Sequence, residues 1–452
     1  MLTGNEFGSI NITNKVRRTG LAVVQISRIQ QRRGRKNAGT GFPQLASGEI
    51  GWAIDTQELY IGNGSVSDGA PYVGNTQILT EHVNILDFAE AYQYKRNNPT
   101  IKTGPTSTSP IQRKIQERLD EFVSVKSFGV IGDGVQDDTV ALQRAIDQLF
   151  LNPSTKSTYT NRVVLYFEPG EYLITNELRI PPYAHLVGSG IDSTIIKLSG
   201  TDSAIRTVDG NSIPGTYTAF ASMAYLQRPR FILVEGMTLQ TTTDNPIVYL
   251  DNTDSSVFSR IKFLGIFNNG GQPTETDIKK QAAIWIRSAS AVFRSENVYF
   301  DTCIFNKTGF GVYSVAENDG FTFHNCKFYQ LYDGINIGYK NPNITGNNFS
   351  ATNNKVTSCY FDLIDRYGIW IKYGYGNTSS DNKYLLVGNN NQGYANPTYP
   401  NIRYDTPNNQ SQGDYFERNT KLKDQNLFGA YSYIPAVQST GSISDPTNYR
   451  KV

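Results

Sequence analysis

Apolar and polar residues alternate through much of this chain, most clearly between about residues 230 and 390. A period of two is the signature of strands, whose successive side chains point to opposite faces. One class of strand reads Asn297-Val-Tyr-Phe-Asp-Thr-Cys-Ile-Phe305, then Gly320-Phe-Thr-Phe-His-Asn-Cys-Lys-Phe328, then Asn354-Lys-Val-Thr-Ser-Cys-Tyr-Phe361, with steps of 23 and 33 residues between the cysteines. A second class follows each at a near-fixed offset: Gly309-Phe-Gly-Val-Tyr313, Asp333-Gly-Ile-Asn-Ile337 and Tyr367-Gly-Ile-Trp-Ile371. Looser copies lie earlier, at 231–239, 247–250, 257–263 and 283–286. A repeat of this size with two or three strands predicts the coil of a parallel β-helix, with coils stacked about 4.8 Å apart. Cys303 and Cys326 then share one interior ladder, where a small apolar side chain fits. The extra residues before Cys359, Lys340 to Phe349, predict a loop inserted between coils, as do 267–280 and 206–220. Such loops lie on the surface and often bind partners.

Upstream the period changes. Val125 to Gly134 predicts a strand followed by a glycine turn, after which Asp137-Asp-Thr-Val starts a helix with Leu142, Ala145, Ile146, Leu149 and Phe150 on one side. Gly129, Asp133, Gly134, Asp137, Asp138 and Thr139 are expected to form the turn and cap that helix, the carboxylates serving its positive end. A helix before a long β-rich region is expected to cover the open end of the solenoid. Ile111, Ile115, Leu119 and Phe122 recur at helical spacing and predict a helix of about a dozen residues. Residues 20–29 are apolar, Gln31 to Lys36 form a basic turn, and Leu45 to Gly64 carries a glycine every few residues. This first part predicts a meander of small strands with a modest core that needs partners. The expected organisation is therefore 1–80, a small β-rich module; 81–123, a neck with short helices; 124–390, the β-helix; and 391–452, an irregular end with short strands near 414–417 and 427–434.

Composition narrows the function classes. The chain has 452 residues, 42 basic and 40 acidic, for a net charge of +2. So small a charge argues against nucleic acid as a partner. The basic cluster 28–36, with Arg17-Arg18, fits a protein socket at least as well as it fits nucleic acid. The 40 glycines, with abundant asparagine, suit tight turns. Cys303, Cys326 and Cys359 are odd in number and lie in apolar strands, which reads as buried thiols rather than disulfides or a metal site. No apolar run is long enough for a membrane span, and the N-terminus lacks a secretory signal pattern. No cofactor is expected.

Val125-Lys-Ser-Phe-Gly-Val-Ile-Gly-Asp-Gly-Val-Gln-Asp-Asp-Thr-Val-Ala-Leu-Gln-Arg-Ala-Ile146 resembles the opening motif of the pectate-lyase-like superfamily common in phage tailspikes. Residues 163–174 and 186–196 continue the match, which spans about 70 residues. The resemblance implies an all-β fold, a right-handed parallel β-helix with an N-terminal helix cap, often trimeric. Ile29 to Gly34 and Gly48 to Gly64 are similar to a short module of phage tail-fibre and baseplate proteins, associated in that family with virion attachment or trimer organisation. Within it Arg32, Arg33, Glu49, Asp55 and Tyr60 are the attachment candidates.

Sugar-cleaving chemistry needs two carboxylates about 5–9.5 Å apart. Asp333 and Asp365 precede comparable strands on successive coils, Arg366 is adjacent, and Glu317 and Asp319 lie at an earlier turn. The alternative is that these are turn residues at coil corners. Polygalacturonases carry separated Asn-Thr-Asp, Gly-His-Gly and Arg-Ile-Lys triplets. Here Asn252-Thr-Asp254 and Arg260-Ile-Lys262 are crowded together and Gly-His-Gly is missing, which leaves Asp254 with little support. Ile371-Lys372 alone does not make a lyase site. His324 reads as a packed or surface histidine, or as a general base, and His185 as a turn residue. The 28 tyrosines and 23 phenylalanines suit a stacked interior, sugars or subunit contacts. The resulting expectation is a structural bacteriophage tail component, baseplate or fibre/spike, made in the host cytoplasm and carried in the virion. It is expected to be a homotrimer bound to other tail proteins. The alternative is a tailspike that binds or depolymerises host surface polysaccharide, as a glycoside hydrolase or lyase.

Overall fold

Strand after strand between Phe122 and Phe416 pairs in parallel with its counterpart one coil away, as a computed structural model of the chain displays. The structure describes residues 31–37, 42–68, 73–78, 103–104, 111, 113–151, 163–217, 227–268, 281–287, 294–314, 316–339, 348–388, 401–406, 408–416 and 432–433. The apolar stretch 20–29, Arg17-Arg18, most of the neck and of the expected loops at 267–280 and 340–349, and nearly all of the tail after 416 lie outside the described residues. The chain divides into two compact units, Met1–Glu117 and Arg118–Val452.

In the second unit the described strands form a 19-stranded sheet, an eight-stranded sheet and a four-stranded sheet, which together make a parallel β-helix. Its interior is built from columns of like residues. One column runs Leu239, Phe263, Phe305, Phe328, Phe361, Tyr384, Phe416. Its ring centroids are 4.9, 4.5, 4.6, 4.7 and 5.1 Å apart from Phe263 onward, close to the strand spacing itself. Phe258, Phe300 and Phe323 stack likewise at 5.2 and 5.0 Å. Each buried ring contributes roughly 1.5–3 kcal/mol by leaving water, and stacking adds about 0.5–1.5 kcal/mol per pair. The eight-stranded sheet faces these rings with Val248, Ile284, Val312, Ile335, Ile369 and Ile402.

Coil corners explain the glycine and asparagine content. Gly236, Arg260, Thr302, Asn325, Ser358, Asp381 and Gly413 form one column, all at φ between 51° and 70°. A single left-handed residue turns the strand with no loop at all. For a residue with a Cβ it costs about 1–2 kcal/mol, least for Asn and Asp. Stacking offsets this cost, since the N–H of Thr302, Asn325, Ser358 and Asp381 each reaches a carbonyl of the next coil at 3.0–3.1 Å. Gly334 serves a different need. A Cβ there would lie 2.4 Å from Gly368 O and 2.8 Å from the Phe361 ring, so the corner closes only over glycine. Gly311 and Gly368 repeat the arrangement against Phe328 and Tyr384.

Cys303, Cys326 and Cys359 are buried in the interior and are unbridged. This column also makes polar contacts. Cys326 N donates to Cys359 Sγ (3.4 Å), Cys359 N to Asn382 Oδ1 (2.7 Å) and Asn382 N to Asp414 Oδ1 (2.8 Å). Sulfur, amide oxygen and carboxylate oxygen thus satisfy the same buried corner N–H on successive coils. Asn354, Asn377 and Asn409 form a second ladder of this kind, accepting at 2.9–3.0 Å from Phe321, Asn354 and Asn377 N–H.

The cap departs from expectation in detail. Val125–Phe128 is a 3-10 turn rather than a strand, because Ser124 Oγ accepts from Lys126 N (3.0 Å) and Gly129, at φ 85°, closes on Lys126 O (3.0 Å). Asp133–Asp137, expected as a turn, is a strand, although Asp133 Oδ1 still accepts from Val135 and Gln136 N–H and Gly134 sits at φ 75°. The helix spans Thr139–Ile146 and widens into a π turn to Leu151. Asp138 makes no side-chain cap bond to the helix; its carboxylate holds Ile131 N and Gly132 N at 2.8 and 2.9 Å. Asp137 accepts Thr139 N instead (2.9 Å). The helix also covers the edge of the eight-stranded sheet at Leu178–Ile180. Gln143 accepts from Arg179 N (2.7 Å) and donates to Arg179 O (3.2 Å), imitating a missing strand.

Two other expectations change. The helix expected over Ile111–Phe122 is only Ile115–Leu119, and Phe122 opens a strand paired with Val164. A helix that short is marginal, and the β ladder takes its last apolar residue. The β-helix does not stop at 390: Ile402–Tyr404, Asn409–Gln412 and Tyr415–Phe416 continue its ladders. In the first unit Gln31–Gly34 pairs in parallel with Ile50–Ala53, which continues antiparallel to Glu58–Gly62 and then Asn75–Ile78 around Leu45, Ala53 and Tyr60.

Candidate functional site

Of the expected carboxylates, Asp333 lies on a strand of the eight-stranded sheet. The register of that sheet aligns Arg179, Arg206, Tyr249, Trp285, Tyr313, Asn336, Trp370 and Arg403 in one row. Asp333 belongs to the neighbouring row, beside Phe310, and is 0% exposed. Its two oxygens grip Arg366, Nε at 2.9 Å and Nη2 at 2.6 Å, and accept from Asn336 Nδ2 (2.7 Å) and Tyr367 N (3.1 Å). Burial alone would lower the Arg366 pKa; the Asp333 carboxylate more than offsets it and holds the group above its ordinary value. The guanidinium also lies 4.5, 4.9 and 5.2 Å from the rings of Tyr332, Trp370 and Tyr367.

Asp365 is not stacked on Asp333. Ile335 pairs with Ile369, which sets Asp333 level with Tyr367, whereas Asp365 N bonds to Leu331 O (2.9 Å). Asp365 is itself only 6% exposed. The outward-facing pair anticipated from sequence is therefore absent, because one residue is locked into an ion pair and the other lies two positions out of register. A small second core of Ala282, Phe310 and Tyr313, with Trp285 and Tyr332 against it, seals this face. Asp251 is equally committed, between Arg206 Nε (2.7 Å) and Arg287 Nη2 (3.0 Å). Lys372 lies over the Trp370 ring at 4.5 Å.

Glu317 and Asp319 stand at the four-stranded sheet, where Asp254, Glu296, Asp319 and Thr352 occupy successive rungs. Glu296 binds Arg228 Nη1 (2.5 Å) and Arg294 Nε (2.9 Å). Asp319 accepts from Thr352 Oγ1 (3.0 Å) and Asn353 Nδ2 (2.9 Å). Burial pushes the Glu317 pKa up, against the opposing Ser350 N–H and Arg294. Arg228, Arg294 and Glu296 had no place in the sequence reading, although Ser295-Glu296-Asn297 and Asn318-Asp319-Gly320 are the same corner written twice.

The outer side of the long sheet is open by contrast. His324 Nδ1 meets Asp301 Oδ1 at 2.7 Å, with side chains 44% and 32% exposed, and the Tyr299 ring is 6.4 Å from the imidazole. One row further, Lys327, Tyr360, Lys383 and Tyr415 alternate on successive coils. Lys327 lies 5.6 Å from the Tyr360 ring, and Lys383 lies 5.7 and 5.6 Å from Tyr360 and Tyr415. His185, expected at a turn, begins a strand paired with Leu233. In the first unit Glu49 is buried, binding Arg32 Nε (2.6 Å) and Ala46 N (2.7 Å). Asp55 accepts from Lys36 and Asn37 N–H, both at 2.8 Å. Tyr60 donates to Glu58 Oε2 (2.6 Å), and Arg33 pairs in register with Trp52.

Comparison with known proteins gives one family match: residues 122–361 fit the model described as rhamnogalacturonase A/epimerase, pectate lyase-like. A probable glucan endo-1,3-beta-glucosidase of Arthroderma benhamiae is 25% identical, over 46% of this chain and 22% of that protein. The pre-neck appendage protein of Bacillus phage phi29 is 22% identical, over 55% of this chain and 28% of the appendage protein. This chain thus spans less than a third of either relative's length. Among solved structures, ORF18 of Geobacillus virus E2 aligns at a TM-score of 0.44 and 18% identity, covering 91% of this chain and 74% of that one.

Proposed function

The chain belongs to the rhamnogalacturonase A/epimerase, pectate-lyase-like family, and from that premise we propose that it is a structural component of a bacteriophage tail. In this reading residues 1–80 fix it to neighbouring tail proteins, three copies associate, and the right-handed β-helix is a rigid arm. The observation that carries the reading is the state of the carboxylates on the eight-stranded face: Asp333 and Asp251 are buried and held by arginines, so neither is available to a glycosidic bond. Likeness to a phage pre-neck appendage protein supports the virion setting. Mass spectrometry of gradient-purified particles from a lysate tests it. The chain should co-sediment with the particles, and a chain found only in the soluble lysate contradicts the proposal.

A second reading rests on the open face. Alternating lysine and tyrosine on the long sheet, beside Tyr299 and the Asp301–His324 pair, suits adsorption to host surface polysaccharide through stacking and hydrogen bonding. Tyr360→Ala and Lys383→Ala should then slow particle adsorption without changing reducing-sugar release from the purified polysaccharide. Unchanged adsorption in both variants removes this reading.

A further inference from the structure

The helix that closes the β-helix also has a side turned away from the hydrophobic core. Residues 139, 143 and 147 and residues 140, 144 and 148 form two rows at four-residue spacing along it, bordering a cavity of about 500 Å³. The far wall comes from Glu177 and Arg179, from Asp202, and from the turn bearing Tyr217. The volume lies within the range of small-molecule sites, about 300–1,000 Å³. Its lining is fixed from below. Asp147 is buried, accepting from Gln143 Nε2 (2.8 Å) and Tyr217 Oη (2.7 Å), while Gln143 is itself clasped to the Arg179 backbone. Arg179 binds Glu177 Oε1 (2.6 Å) and lies 5.4 Å from the Tyr217 ring.

Two charged groups remain uncommitted. The side chains of Arg144 and Asp202 both line the cavity and enter no hydrogen bond or ion pair among the described residues. Of the other charged groups on the lining, Arg179 is paired with Glu177. Asp147 is buried and both of its oxygens are taken, by Gln143 Nε2 and Tyr217 Oη, so it offers a ligand no free acceptor. An anion would meet Asp202 and Glu177, and a cation would meet Arg144 and Arg179. A neutral molecule rich in hydroxyls satisfies both signs, since each hydroxyl both donates and accepts.

The geometry points to a binding site for a neutral, hydroxyl-rich ligand, a sugar unit, in the cavity between the cap helix and the first coils. It is separate from the long-sheet face and stands whether or not that face binds polysaccharide. Arg144 and Asp202 take opposite sides of the ligand's hydroxyls, and Tyr217, locked by Asp147, supplies an aromatic wall.

Saturation-transfer NMR on the full chain tests this with the methyl glycosides of glucose, galactose, mannose and rhamnose, and with methyl galacturonate as the anionic comparison. At least one neutral glycoside should give saturation transfer, weakened about tenfold or more in Arg144→Ala and in Asp202→Ala. Both residues are exposed, so these variants keep the fold. The same loss should appear when both variants are made in a Lys383→Ala background, which separates this site from the adsorption surface. The inference is overturned by no binding of any neutral glycoside, by binding of methyl galacturonate alone, or by a signal undiminished in both cavity variants.

Discussion

The outer sides of the eight-stranded and the long sheet are laid down by the same coils, yet one is sealed and the other bare. On the eight-stranded side Phe267, Tyr332 and Arg366 come from the connections between the sheets and cover Phe310, Tyr313 and Asp333. On the long-sheet side the half-strands are joined by single left-handed residues such as Thr302, Asn325 and Ser358, which leave no chain to fold back. The character of the strands therefore does not decide exposure; what decides it is whether a connection carries large side chains, such as Tyr332 and Arg366, that lie over the face. The sealed side consequently holds carboxylates in structural ion pairs, while the bare side keeps Lys327, Tyr360 and Lys383 at the surface.

The largest effect should come from breaking a sealed pair. Asp333→Ala leaves the Arg366 guanidinium buried without its counter-charge and should cost about 3–5 kcal/mol in urea unfolding. The double variant Asp333→Leu, Arg366→Met should recover most of that loss, as an apolar replacement of a structural pair does. A stable Asp333→Ala variant would place the pair outside the structure's supports. Gly334→Ala should cost about 1–3 kcal/mol, because the added Cβ meets Gly368 O and the Phe361 ring. An equal melting temperature would show that the corner can open.

Acid should act oppositely on two regions. Asp414 is buried among Ser379, Ser411 and Asn382, and burial raises its pKa despite those bonds. A raised carboxyl favours folding below its unfolded value, a contribution lost as pH rises through the folded one. Asp414→Asn should therefore stabilise the late coils at neutral pH, read by hydrogen exchange. Glu58 in the first unit is the reverse case. Burial would raise it, but Lys36, Tyr60 and Thr56 hold it down to about 2, so its contribution is present above the ordinary 4.5 and lost as pH falls towards 2. Acidification to that range should loosen the first unit, and protection of its strands that is independent of pH would contradict this. The smallest effect belongs to the bare face: Lys383→Ala should change stability by no more than about 0.5 kcal/mol.

Much of the fold was legible because columns repeat. The 23-residue step that aligns Cys303 with Cys326 also aligns Asp301 with His324, so that hydrogen-bonded pair could have been found from spacing alone. The state of Asp333 could not. Gly334 and Ile335 both point inward at the corner, which breaks the two-residue period just where the carboxylate's direction had to be inferred. The end of the β-helix was hidden for another reason. The apolar columns turn polar there, Phe323 and Val356 giving way to Ser379 and Ser411, and Cys359 to Asn382 and Asp414. Hydrophobic pattern loses its signal while the hydrogen-bonded ladder continues.

The most direct test of the central claim is a side-chain-resolution reconstruction of the tail in intact particles. This chain is expected within it, in three copies, with the first unit against another tail protein and Asp333 closed on Arg366. A tail without the chain, or one in which Asp333 and Asp365 face a bound sugar across an open groove, would contradict it.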